Sequence, residues 1–273
     1  MKFKKSLAAA GVALLGIAAA PAHAGLTVLD GWQLFSPGTA GLVTDIGRLN
    51  LVSGTSTVEQ QVNGSGNVFV GAQFTESGTI YSISYTAENV VGAGDIGAPI
   101  SLGETLTISF SNVGGVVDGL LSGGGFSYVF TSGNFTIAGS AGTYATGSIV
   151  GIGGNASATQ IVGGVNGDST LLATVLDFLG SGVDFRDSTG TSLQPDMLAG
   201  NVLFEAVTNN NTTGVLGTGA CSFNAAASCV SVSVASAGDA YLVRLIPEPT
   251  SLALIGVALA GLGAASRRRN GKA

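Results

Sequence analysis

Between residues 25 and 246, wherever a hydrophobic period is visible, it is a period of two. Leu106, Ile108 and Phe110 share one face while Thr105, Thr107 and Ser109 share the other. Tyr81, Ile83 and Tyr85 alternate with Ser82 and Ser84, and the same rhythm links Val68, Val70, Ala72 and Phe74. Phe126, Tyr128 and Phe130 continue it, followed by Phe135 and Ile137. Late in the chain Val230, Val232 and Val234 alternate with Ser231 and Ser233, and Tyr241, Val243 and Leu245 alternate with Leu242 and Arg244. Successive side chains leave a pleated backbone on opposite sides, so this rhythm predicts strands with one buried and one wet face.

Glycine clusters at residues 92–97, 114–115, 123–125, 151–154 and 163–167 separate these segments and supply turns that need positive φ. One helix candidate exists, residues 169–179, where Leu172, Val175, Leu176 and Leu179 fall at helical spacing, although so short a run equally suits a buried strand. No fixed-period repeat occurs, and no composition shift marks an internal boundary. The expected fold is therefore all-β, a single antiparallel β-sandwich or jelly-roll-like body.

Both ends break the pattern. Lys2, Lys4 and Lys5 precede an apolar run over residues 7–20, then Ala22-His23-Ala24 places small residues at both outer positions. That layout predicts a secretory signal peptide, residues 1–24, carried through the secretion translocon and cut by signal peptidase between Ala24 and Gly25; the run is short for an uncleaved anchor. At the other end Pro247-Glu248-Pro249 leads into apolar residues 250–266, then Arg267, Arg268 and Arg269. As a helix the apolar stretch reaches about 25 Å, near the lower limit for crossing a bilayer. The arginines act as the stop that holds their end in the cytoplasm. Neither proline extends the helix upstream, which leaves an extended, accessible segment just outside the membrane, suited to a processing enzyme. The expected organisation is a signal peptide (1–24), an exported Gly-rich β domain (25–246) and a C-terminal segment (247–273).

Pro-Glu-Pro, apolar helix and arginine cluster, in that order, together resemble the PEP-CTERM sorting signal of Gram-negative bacteria. The resemblance implies recognition by an exosortase, a membrane-embedded cysteine transpeptidase, with Pro247, Glu248 and Pro249 in a substrate role. It also implies a precursor anchored in the inner membrane and a final place at the cell surface or in the extracellular matrix of a bacterium that makes exopolysaccharide. A simple C-terminal membrane anchor is the plain alternative. Residues 28–34 (Val-Leu-Asp-Gly-Trp-Gln-Leu), 69–78 and 80–86 are similar to the flocculation-associated PEP-CTERM proteins. That similarity implies a matrix or surface protein that helps cells aggregate with exopolysaccharide.

Charge narrows the chemistry. Residues 25–246 contain no lysine and no histidine, and set Arg48, Arg186 and Arg244 against fifteen carboxylates. So acidic a body excludes nucleic acid as a partner. Lacking histidine and lysine, it cannot assemble a Ser-His-Asp triad, a Cys-His pair, a Ser-Lys dyad or a histidine-ligated zinc site. Its two cysteines, Cys221 and Cys229, would close a nine-residue loop. In an exported protein a disulfide is the expected outcome.

The remaining motifs are weak. Gly92-Ala93-Gly94-Asp95-Ile96-Gly97 matches the dinucleotide fingerprint in letters, but Pro99 follows where a helix must begin, so it reads as a loop and no cofactor is expected. Residues 163–168 resemble a calcium-binding nonapeptide turn with its glycine displaced by one place and no second copy, and Asp177, Asp184, Asp187 and Asp196 form a looser acidic group. Solvated charge is the simpler reading of both, so no metal site is assigned. Two carboxylates are all that a glycoside hydrolase strictly needs, so that class stays open. The expected function is a non-enzymatic, exosortase-processed surface or matrix protein associated with exopolysaccharide, flocculation and biofilm. The alternatives are an extracellular carboxylate-pair glycoside hydrolase or a calcium-dependent adhesin.

Overall fold

The alternating segments pair largely in the order in which they occur along the chain. A computed structural model describes residues 25–37, 41–87, 98–156, 166–179 and 182–246. Residues Val28–Arg244 form one compact unit; of the other, made from the two ends, only residues 25–27 and 245–246 are described. The expected signal-cleavage residues Ala22 and Ala24, the Pro247-Glu248-Pro249 segment and Arg267, Arg268 and Arg269 lie outside the described residues, while Gly25 opens the first strand.

The strands are β1 (Gly25–Val28), β2 (Trp32–Phe35), β3 (Leu42–Val62), β4 (Gln73–Ala87), β5 (Ile100–Leu121) and β6 (Gly125–Gly139). They continue with β7 (Gly142–Gly151), β8 (Gly153–Ala156), β9 (Asn166–Phe178), β10 (Asp184–Arg186), β11 (Val202–Cys221) and β12 (Asn224–Ile246). Neighbours run β12-β11-β9-β7-β6-β5-β4-β3, and β12 also pairs β3 antiparallel over twelve partners from Ser228↔Val62 to Ala240↔Leu49. The sheet therefore closes on itself as an eight-stranded antiparallel barrel, in which β8 carries on from β7 by bridging β6 and β9. This corrects the expectation of a sandwich or jelly roll. Alternation demands a dry face and a wet face, and one closed sheet satisfies that as well as two packed ones.

Strands of 20 or more residues, such as β3, β5, β11 and β12, are far longer than the usual five or six. They bend through bulges, each of which shifts the phase of the alternation. On β3, Leu49 and Leu51 point inward, the register slips between Val52 and Thr55, and Ser56 and Gln60 take the inward places. Ser53 sits at this slip with φ 53°. On β5 the same happens at Asn112, φ 51°, beyond which Val113 and Val117 are buried.

The slips correct two expected faces. On β4 it is Ile80 and Ser82 that are buried, while Ile83 is 50% exposed; a slip between Ser82 and Ser84 then turns Tyr85 inward. On β12 Leu242 and Val243 are both fully buried, and Ala240 rather than Tyr241 faces the core. The helix candidate is largely strand β9, in which Val175 is buried and Leu176 exposed; Leu179, just past its end, is exposed too. Among the described residues the helix that forms is α1 (Gln194–Leu198), started by Pro195 in its first turn.

Trp32, Leu34, Phe185, Leu193, Met197 and Val202 belong to the larger apolar cluster, where β2, β10 and α1 lie against the barrel strands. A smaller one gathers Val62, Val68, Val117, Phe126, Val230 and Val232. All three arginines of the body are ion-paired: Arg48 with Asp239 across the β3–β12 seam, Arg186 with Asp184, and Arg244 with Asp196 of α1. These pairs are partly exposed, so each contributes about 0–1 kcal/mol.

Cys221 and Cys229 form the expected disulfide across the β11–β12 hairpin. Closing a nine-residue loop removes denatured-state entropy worth about 2.5 kcal/mol. Reduction should then lower the melting temperature by about 5–10 °C for a domain of this size, measured by thermal scans with and without reductant.

Candidate functional site

Five neighbouring strands of the barrel place polar side chains inward at one level. On β9 the inward series Val175, Ala173, Leu171 ends in Ser169; on β11 Phe204 and Ala206 give way to Thr208 and Asn210. On β12 Leu242 and Ala240 give way to Ser236, and on β3 Leu51 gives way to Ser56. On β4 Ile80 gives way to Glu76. Register brings these together: Thr208 is opposite Ser169, Asn210 opposite Ser236, and Val58 opposite Glu76. A polar belt thus crosses the interior.

Hydrogen bonds join most of the belt. The Ser169 and Thr208 hydroxyls lie 2.6 Å apart, and the Asn210 amide donates to Ser169 Oγ at 2.9 Å. Ser236 Oγ donates to Asn210 Oδ1 at 2.7 Å. Across the barrel Ser56 Oγ donates to Glu76 Oε1 at 2.6 Å, the one hydrogen bond that this carboxyl receives among the described residues. Tyr128 Oη donates to the Asp168 carbonyl at 3.1 Å.

Two cavities of about 90 Å³ each flank the belt, and Glu76 and Asn210 line both. The first has Val58, Phe74, Phe126, Tyr128, Val232 and Val234 as walls and Gln60 among its polar groups; the second is walled chiefly by Ile80, Ile108, Phe110, Phe135 and Phe204. A space of about 10–15 Å³ on this measure suffices for one water, so each cavity is roomy enough for several waters or a small ligand. Eight-stranded barrels are wide enough inside either to be filled by side chains or to hold one small molecule.

Glu76 is half-buried and lines both cavities. Burial pushes its carboxyl above the ordinary value near 4.5, and the Ser56 hydroxyl offsets part of that shift. Burial first, and the charge of Glu76 second, raise the Tyr128 phenol. Because the folded-state value of Glu76 exceeds its unfolded one, the native state holds the proton more tightly. Stability is highest below the unfolded value and falls as pH rises through the folded one. Glu205, partly exposed and also raised by burial, adds a smaller effect of the same sign. Replacing Glu76→Gln should flatten this decline and leave the protein more stable than wild type at neutral pH, measured by denaturant unfolding between pH 4 and pH 8.

Other candidate residues from the sequence are placed apart from the belt. Asp184 accepts from Arg186 and Ser192, and Asp196 from Arg244. Asp187 accepts from Thr189 and Thr191 at a surface turn, with the Thr189 hydroxyl first among the causes that hold its carboxyl low. Asp177 is exposed on β9. Among the described residues no group of three or more His, Cys, Asp or Glu side chains is placed to hold a metal ion. The Gly92–Gly97 loop and residues 163–165 lie outside the described residues, and Asp168 accepts a hydrogen bond from Asn209 Nδ2 at 2.9 Å. Among the residues lining the cavities Glu76 is the one carboxylate, whereas an acid–base glycosidase site needs two.

Sequence reasoning missed Glu76. Its signal was parity: Phe74, Glu76, Gly78 and Ile80 share a face, so a carboxylate stood in phase with core residues. No helix among the described residues is long and apolar enough to cross a membrane, and the expected span at residues 250–266 lies outside them. A family model described as the PEP-CTERM protein-sorting motif matches residues 245–269. No curated protein and no solved structure matches the chain.

Proposed function

We propose, for a chain that carries the PEP-CTERM protein-sorting motif at its C-terminus, a non-enzymatic role as an exported surface or matrix component. The motif implies an exported, membrane-anchored precursor processed by an exosortase, and that match is the observation that carries the reading. The chain order supports it: the match at residues 245–269 begins within the last two residues of the final strand, which ends at Ile246. The body then joins exopolysaccharide in cell aggregation, in flocs or biofilm. A surface rich in hydroxyl and amide groups matches neutral polysaccharide hydroxyls without the cost of stripping water from buried charges.

Deleting the gene in the source bacterium tests the role. The expected result is loss of floc formation with polysaccharide secretion intact; unchanged aggregation overturns it. Incubating protein purified from those cells with their own polysaccharide separates the classes. Binding without new reducing ends is expected, and release of reducing ends would establish a glycosidase instead. Chelation of calcium should leave the melting temperature unchanged, whereas a drop would favour a calcium-dependent adhesin.

A further inference from the structure

We propose that the barrel interior binds a small organic ammonium ion, a primary amine on a short apolar tail, with its charged head between Glu76 and Gln60. Three observations point there. The Glu76 carboxyl has a single hydrogen bond, from Ser56, while Arg48, Arg186 and Arg244 are each paired to other carboxylates. Gln60, only 3% exposed, donates its amide hydrogens to the carbonyls of Gln61 and Gln73. That leaves its carbonyl oxygen as a second acceptor with no donor among the described residues, in the wall of the same cavity.

The surroundings fit a cation with a hydrocarbon body. Phe74 and Tyr128 meet edge to face at 5.5 Å, with Phe126 beside Tyr128, and all three rings line the cavity. Aromatic faces attract a positive head and accommodate the methylenes behind it. An ammonium group has three donors and no acceptor, which matches Glu76, Gln60 and a ring face better than a hydroxyl does. A buried carboxylate is costly unless it meets a positive partner, so the ligand supplies what the chain does not. The site does not depend on how the C-terminus is processed.

Titration calorimetry of protein purified from the source cells with n-butylammonium and, in parallel, n-butanol reads this directly. The expected result is amine binding at least about tenfold tighter than alcohol binding, as losing a hydrogen bond to a charged group implies. Glu76→Gln should erase that preference. Equal affinities of amine and alcohol in the wild type overturn the proposal without recourse to any variant. So does a Glu76→Gln protein that keeps the amine preference. Titration with sodium and calcium chlorides alone is the last arm: binding of either ion that blocks the amine would mark an inorganic cation site and overturn the assignment.

Discussion

Substituting alanine for Pro247, Glu248 and Pro249 together should leave nearly all of the protein unprocessed, its C-terminal residues still attached and the chain still held in the membrane fraction. The change removes the three residues that we propose the exosortase recognises, within the matched motif at residues 245–269. It also replaces two prolines, which interrupt a helix, by alanines, which extend one. Mass spectrometry of protein from wild-type and mutant cells checks this. A mutant whose mature mass shows the same truncation as the wild type would remove the exosortase from the account. Intact tails on wild-type protein recovered outside the cell would do the same.

Trp32→Ala should be the most damaging single change to the body, at about 3–5 kcal/mol for emptying a fully buried aromatic site. Trp32 is 1% exposed, its indole 6.0 Å from Phe185 between the β2–β10 pair and the barrel. The indole N–H is buried without a hydrogen-bond partner among the described residues. An unsatisfied donor of that kind costs about 1–3 kcal/mol. Trp32→Phe deletes it together with some volume, so the two effects offset and the expected change is small. Denaturant unfolding of both variants, followed by circular dichroism because Trp32 is the only tryptophan, separates packing from polarity. If phenylalanine destabilises as much as alanine, the N–H has a partner outside the described residues.

How far the sequence could be read depended on how local each feature was. Leu106, Ile108 and Phe110 on β5, and Val230, Val232 and Val234 on β12, face inward as their alternation said. Tyr81 and Ile83 misled because bulges change the parity of long strands, and a slip such as that between Ser82 and Ser84 leaves no mark in a run of serines and aromatics. Closure was invisible for a different reason. Glu59 pairs with Ser231 across most of the chain, and no local pattern encodes a contact between first and last long strands. The belt was hidden because Ser56, Ser169, Thr208 and Ser236 resemble wet-face residues until register puts them inside. The C-terminal motif, by contrast, was legible because its parts are contiguous and their order is itself the signal.

The β3–β12 seam bears on how copies of this chain can associate. Strand-by-strand polymers, of the kind that stack one chain's backbone on the next, require a sheet margin with unpaired amides and carbonyls. In the ring each long strand has a neighbour on both sides over part of its length, while among the described residues β11 beyond Asn211 pairs only β12, so the margin open to another copy is confined largely to that stretch. Elsewhere around the ring, contacts between copies would run through side chains and loops, which solvent conditions reverse more readily than stacked backbones.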